Sequence, residues 1–159
     1  MRKTNENMSE QEILLEQYKL YVEMADRVSS RRVQTHKFYT TLLTALLAIL
    51  SLATDKSIFT TNQVPVCFIV SVLGIVLNVI WLMNIRSYKH LNTGKFMVIH
   101  EMEQDLPFQC YDKEWKHIGE GHEIKKYIPL TIIEQIIPLL LAIPYLILFV
   151  YSIFNFFKN

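Results

Sequence analysis

The chain has 159 residues, of which 51% are hydrophobic and 19% are charged, and its formal net charge at pH 7 is +1. This near-neutral balance excludes the basic surface that a nucleic-acid-binding domain normally carries. The charged residues are concentrated in two blocks, 1–37 and 86–126, and long apolar runs lie outside these blocks. The segregation of charge and apolarity is typical of an integral membrane protein.

The first block, 1–37, predicts a cytosolic amphipathic helix that runs without a Pro or Gly into the first apolar run, as one long N-terminal helix. It lacks the pattern of a removable signal peptide, and Ser9 and Glu12 have the spacing of a capping box that starts a helix. A seam of side chains at alternating spacings of four and three follows, as one helix presents to another. Its members are Leu14, Tyr18, Tyr21, Ala25 and Val28. The seam predicts packing on a cytosolic helix of the same chain, with a coiled coil between chains as the alternative.

Three apolar runs, 38–53, 64–85 and 128–154, predict transmembrane helices. The first two would form a transmembrane hairpin over 38–85, and the third would occupy 128–159 together with a short external tail. The run 38–53 is short for a bilayer, so tilt or local thinning would have to cover the difference. The alternative is a half-buried interfacial segment, which would place the C-terminus inside.

The second block, 86–127, predicts a cytosolic helix followed by a loop. The second membrane helix would continue as a seam that ends at Pro107 and docks on the first block. The members of that seam are Tyr88, Leu91, Lys95, Val98, Met102 and Leu106. The stretch 108–127 contains two glycines and many charges, which predicts a loop with one short helix near 112–117.

The distribution of Lys and Arg predicts the orientation. Each charged block contains seven of the sixteen basic residues, and basic flanks of membrane segments stay in the cytosol. We therefore expect both blocks to be cytoplasmic, with the N-terminus inside and the C-terminus outside. The two cysteines, Cys67 and Cys110, lie in different environments and do not indicate a disulfide.

Small and polar residues inside the apolar runs are candidates either for helix packing or for lining a water-filled path. They are Thr44, Ala48, Ser71, Gly74 and Asn78. Small side chains let helices approach closely, and an amide can bridge two helices, so packing is the favoured interpretation. A path would need several subunits, because two or three helices cannot enclose a pore alone.

Glu134 lies about one turn inside the third run, where a carboxylate is costly unless it is paired or hydrated. It is either a functional or pairing site, or it reaches the cytosolic interface beside Lys125, Lys126 or Arg86. Pro138 and Pro144 each remove a backbone donor and predict a kink in the third helix.

Enzymatic chemistry finds little support in the sequence. His100 and Glu103 share a helix face at an acceptable spacing for two metal ligands, but no further motif completes a metal site. We therefore expect no catalytic residues, no metal and no cofactor. A membrane-embedded hydrolase that uses His100, Glu103 or Glu134 is the least favoured alternative.

Several short motifs resemble the SLATT proteins of prokaryotes, the SMODS and SLOG-associating two-transmembrane effectors. In the first block these are Tyr18-Lys19-Leu20-Tyr21, Ala25-Asp26-Arg27 and Ser29-Ser30-Arg31-Arg32. After the hairpin they are Trp81, Arg86, Asn92, Lys95-Phe96 and Glu101-Met102-Glu103. The resemblance covers roughly 14–106, and the third apolar run departs from a two-span plan.

The resemblance implies an oligomeric effector or accessory subunit of an antiphage system, which forms a regulated pore or perturbs the inner membrane when a cytosolic sensor triggers it. Candidate contacts with that partner or within the helical stalk are Tyr18, Tyr21, Ala25, Glu101 and Glu103. The alternative is a membrane anchor that scaffolds a cytosolic complex without conducting. In either case we expect the partners to be the lipid bilayer, further copies of the chain and a cytosolic protein, and not nucleic acid.

Overall fold

A computed structural model describes residues 9–55, 63–120 and 130–158 of the chain. In these ranges the regular structure is entirely helical, with α1 at Glu10–Asp55, α2 at Gln63–Glu103, α3 at Cys110–His117 and α4 at Leu130–Lys158. The predicted all-α fold is confirmed.

Helix α1 begins at the predicted capping box. The Ser9 backbone N–H donates to the Glu12 carboxylate at 2.8 Å, and the Glu12 N–H donates to the Ser9 hydroxyl at 3.3 Å. These two bonds satisfy donors that the first turn would otherwise leave without partners. The helix then continues for 46 residues, which confirms the predicted long helix that runs from the first block into the first apolar run.

Helix α2 ends at Glu103, three residues before the predicted end of its seam. The chain leaves the helix through short-range bonds, such as Gln104 N–H to Glu101 O at 3.1 Å and Leu106 N–H to Glu103 O at 3.2 Å. The reason is Pro107, which has no backbone N–H for the Glu103 carbonyl and whose ring would clash with that carbonyl in a continuing helix.

Helix α3 confirms the short helix predicted near 112–117. Gly119 follows it with a φ of 78°, a left-handed conformation that glycine adopts without steric cost and that commonly ends helices. The rest of the predicted loop, 121–127, lies outside the described residues.

Helix α4 begins at Leu130 and passes through both internal prolines. It reaches Lys158, so the segment predicted as a tail after 154 is helical.

The described residues fall into two compact units. Within the described ranges, unit 1 comprises 9–31 and 88–120, and unit 2 comprises 32–55, 63–87 and 130–158. Helices α1 and α2 contribute residues to both units.

In unit 2, α1, α2 and α4 pack around a core of Leu43, Trp81, Ile85 and Tyr145. The Tyr145 hydroxyl donates to the Leu43 carbonyl at 2.6 Å. Thr131 and Glu134, earlier in α4, contact Arg32, earlier in α1. These pairs show that α4 runs parallel to α1.

In unit 1, the predicted seam of α1 is the face that packs on α2 within the same chain. Ala25 is buried, and the other members of the seam are partly buried among exposed neighbours. Tyr18 contacts Glu103, and Tyr21 lies against Lys95, so the two helices run antiparallel as a hairpin.

The seam predicted on the α2 side is wrong at Leu91, which is 50% exposed. Lys95, a predicted member, is buried, and so is Ile99, which the seam did not include. Next to Leu91, Asn92 is partly buried. Hydrophobicity favoured Leu91 over Asn92 because it does not reveal a polar side chain at a packed position.

Two helices in the described ranges are long and apolar enough to cross a bilayer, Val64–Glu103 and Leu130–Lys158. They contain the second and third predicted spans. The first predicted span, 38–53, is helical but is not among them. Two of the three predicted spans are therefore supported.

Apolar side chains on α4 are widely exposed, including Ile147 at 63%, Phe154 at 69% and Phe157 at 84%. The core helix of a soluble protein would bury such side chains, whereas lipid accommodates them.

Candidate functional site

The charged groups of unit 2 meet in one polar cluster formed by Arg32, His36, Trp81, Thr131 and Glu134. Glu134 is only 6% exposed. One of its carboxylate oxygens accepts a hydrogen bond from the Arg32 guanidinium, and the other lies 3.2 Å from His36 Nε2. Arg32 also donates to the Thr131 hydroxyl at 2.9 Å. The cluster therefore joins the beginning of α4 to α1.

The structure thus pairs Glu134 with Arg32 and His36. The expectation that it reaches Arg86, Lys125 or Lys126 does not describe the cluster, in which Arg32 and His36 hold both carboxylate oxygens. Lys125 and Lys126 themselves lie outside the described residues. Because the side chains of Arg32 and Glu134 are only 11% and 9% exposed, removal of either would leave the other as an uncompensated buried charge.

His36 links this ion pair to α2. Its Nδ1 accepts a hydrogen bond from the Trp81 indole N–H at 3.1 Å. An indole nitrogen is a donor only, so Nδ1 carries no proton and the neutral ring carries its proton on Nε2, facing Glu134. Burial lowers the pKa of His36 and the Arg32 charge acts in the same direction, while the Glu134 carboxylate raises it; the net direction is downward.

Aromatic packing holds the α2 side of the cluster in place. The Tyr39 ring stacks on Trp81 with a centroid distance of 5.7 Å and an interplanar angle of 12°. The Tyr39 hydroxyl accepts a hydrogen bond from the Asn84 amide at 3.1 Å. Trp81 itself is fully buried, so the indole has little freedom to find another acceptor.

The candidate residues of α2 face the interior of unit 2. Ser71 and Asn78 are buried at 0% and 2% exposure. Both bond within their own helix, Ser71 to the Phe68 carbonyl at 2.7 Å and Asn78 to the Gly74 carbonyl at 2.9 Å. The Asn78 amide therefore does not bridge two helices.

Gly74 packs directly against α4. A Cβ atom built on Gly74 would overlap the ring of Tyr145. The absence of a side chain is what lets the tyrosine lie against the α2 backbone, as small residues do where helices approach closely.

The candidate residues of α1 lie on a different surface. Thr44 and Ala48 are both exposed in the single chain. The Thr44 hydroxyl donates to the carbonyls of Thr40 and Thr41 at 2.8 and 3.1 Å. The six candidates for packing or pore lining are therefore divided between an exposed face of α1 and interior positions of α2 and α4.

In unit 1, Glu103 is an internal hydrogen-bonding centre. It is fully buried and accepts bonds from the Tyr18 hydroxyl at 2.9 Å and from the backbone N–H groups of Tyr111 and Asp112 at 2.9 and 3.0 Å. Helix α3 has no side-chain cap from its own N-cap residue, Gln109. The Glu103 carboxylate satisfies two of its first donors instead.

The remaining predicted contacts of unit 1 are mostly internal as well. Burial and the neighbouring Glu103 carboxylate raise the pKa of Tyr18, which keeps its hydroxyl protonated as a donor. Lys95 Nζ lies 4.7 Å from the centroid of the Tyr21 ring, within the range of a cation–π interaction. Of the acidic candidates, Glu101 is exposed, whereas Glu103 is buried and makes its contacts within unit 1.

No group of three or more His, Cys, Asp or Glu side chains in the described ranges could hold a metal ion. Neither Arg32 nor His36 was predicted as a partner of Glu134. A signal for Arg32 was present, because the seam spacing of α1 continues from Val28 to Arg32; the same spacing then reaches Thr35 and Tyr39 and not His36.

The all-helical fold of the described residues and their two long apolar helices indicate the class of α-helical membrane proteins. The model of the octameric membrane protein family (8xMP) matches residues 15–154. The chain therefore belongs to this family and is an oligomeric membrane protein. The resemblance to SLATT proteins is not confirmed, and neither the curated proteins nor the solved structures include a match.

Proposed function

We propose that the chain is the subunit of a homo-octamer that forms a regulated pore in, or otherwise perturbs, a bacterial inner membrane, as an effector or accessory subunit of antiphage defence. The proposal of a pore rests on one observation: Thr44 and Ala48 are exposed on α1, whereas Ser71 and Asn78 are buried inside the subunit. A passage would then lie between subunits, as an octameric family allows.

Packing in unit 2 supports a third span. Leu43 of α1 and Gly74 of α2 both contact Tyr145, near the middle of the candidate span α4. A segment that packs at that position of a membrane helix lies at the same depth. The run 38–53 then crosses the bilayer, parallel to α4, and the termini lie on opposite sides with the N-terminus in the cytosol.

The shortness of that run is compatible with this topology. Arg32, which precedes the run, is paired with Glu134, so this charge is neutralised where α1 reaches the membrane. Tilt of α1 or local thinning of the bilayer would cover the remaining difference in length.

A cytosolic protein is the proposed trigger, and unit 1 is its proposed docking region. Glu101 is available on the exposed surface of α2. In this proposal the chain has no catalytic activity. Docking of the partner on unit 1 would act on the membrane segments through α1 and α2, because each of these helices contributes residues to both units.

The test is dye and ion leakage from liposomes that contain the purified oligomer, with and without cytosolic extracts from phage-infected cells. Ala48→Phe should change leakage at least several-fold. Ile49→Phe is the matched control, since Ile49 is a neighbour on the same helix, is already large and is 65% exposed. Equal effects of the two substitutions would place the path elsewhere.

The second candidate is a non-conducting membrane scaffold for a cytosolic complex. It is favoured by the Thr44 hydroxyl, which is bonded to its own helix and has no donor left for a passing anion. Tight vesicles under every condition, with inserted oligomer verified, would select the scaffold. In that case Glu101→Lys should reduce recovery of the cytosolic partner without changing assembly.

A further inference from the structure

His36 occupies a position at which one proton would change the bonding of three helices. It belongs to α1, accepts a bond from Trp81 of α2 at 3.1 Å, and faces Glu134 of α4 at 3.2 Å. We propose that His36 is a proton-binding site, at which a proton taken up by Nδ1 breaks the bond to Trp81 and converts the contact with Glu134 into an ion pair. This inference does not depend on the proposed pore.

The chemistry follows from the two ring nitrogens. In the neutral state Nδ1 accepts and Nε2 donates, and both partners are satisfied. A proton from water adds to Nδ1, and no other bond is made or broken covalently. The ring then has two donors, so Nδ1–H opposes the Trp81 N–H, while Nε2–H makes a charge-assisted bond to the carboxylate. Protonation thus breaks this hydrogen bond between α1 and α2 and strengthens the contact between α1 and α4.

The surroundings set the pH range. From α4, the Glu134 carboxylate favours the proton; from α1 itself, Arg32 opposes it, and burial opposes it most. Helix α2 presents Trp81, which does not titrate. The net direction is a lowered pKa, so the switch operates below the ordinary value of 6.5. The His36 side chain is 15% exposed, which leaves water a route to the ring.

Tryptophan emission provides a direct readout, because the chain has only two tryptophans. In a Trp115→Phe background, Trp81 is the sole emitter, and an imidazolium beside an indole quenches its fluorescence. Titration of the oligomer in nanodiscs from about pH 8 to about pH 5 should show one quenching step below pH 6.5. The absence of a step in this range would overturn the proposal.

His36→Gln is the matched variant. Its amide can still accept from Trp81 and donate to Glu134, but it does not titrate. The quenching step should disappear, and persistence of the step at the same pH would overturn the proposal.

Nitrogen NMR of histidine-labelled protein decides the question even if that variant fails to assemble. Above the transition, the unaltered chain should show His36 as the Nε2–H tautomer, and the Nδ1–H tautomer would overturn the proposal. In Trp81→Phe, the neutral ring loses its hydrogen bond, so the midpoint of His36 should rise by about 0.5 to 1 pH unit. An unchanged midpoint in folded Trp81→Phe would also contradict the assignment.

Discussion

The buried ion pair between Arg32 and Glu134 gives the most quantitative test of the packing in unit 2. The two side chains are 11% and 9% exposed, so the pair is screened far less than a surface pair. Glu134→Leu leaves Arg32 with Thr131 as its remaining polar partner. Breaking a buried pair in this way costs about 3–5 kcal/mol.

Replacement of both partners should be much less harmful than either single change suggests. In Arg32→Met combined with Glu134→Leu, no charge remains buried, and such apolar replacements are often neutral or stabilising. We therefore expect the double variant to be at least about 2 kcal/mol more stable than the sum of the single effects predicts.

Reversible unfolding in mixed detergent micelles would measure these differences. The control is Arg27→Met, which removes an exposed i,i+4 pair with Glu23 on the same helix and should cost less than about 1 kcal/mol. Additive single effects, with a coupling below about 0.5 kcal/mol, would refute the reasoning that the two charges stabilise each other in a buried site.

Three further predictions concern other contacts. Gly74→Ala should destabilise the chain by about 1–3 kcal/mol, because the new methyl group overlaps the Tyr145 ring; an unchanged melting temperature in detergent would contradict this packing. Glu103→Ala should accelerate amide exchange at Tyr111, which loses its acceptor, and protection equal to that of the unaltered chain would show that α3 does not need the carboxylate. Burial lowers the pKa of His36 in the folded chain, so just below pH 6.5 the unfolded chain binds more protons than the folded chain. The contribution of neutral His36 to the free energy of unfolding is therefore complete above pH 6.5 and is lost as the pH falls below it. Thermal unfolding should show this loss, and His36→Gln should reduce it.

Local sequence signals predicted the helices well. The Ser9 and Glu12 pair fixed the start of α1, and the seam that includes Tyr18 and Ala25 identified the packed face. These signals succeed because capping and helical periodicity depend on residues close in sequence. The end of α2 was set three residues too late, since the effect of Pro107 extends to the residues before it.

The polar interior was harder to predict because it depends on residues far apart in sequence. Glu134 was recognised as costly, but its partners Arg32 and His36 are about one hundred residues away. Basic residues before an apolar run normally indicate topology, which concealed the role of Arg32. Likewise, Asn92 belongs to the packed face where Leu91 was predicted, since hydrophobicity does not reveal polar residues that pack.

The central claim is that the chain functions as a homo-oligomer in a membrane. Native mass spectrometry of protein released directly from membrane nanodiscs tests it without prior assumptions about activity. The account predicts one dominant species that contains eight copies of the 18.7 kDa chain. A monomer or dimer that remains folded and inserted at the same protein density would contradict the account and would remove the basis for a passage between subunits.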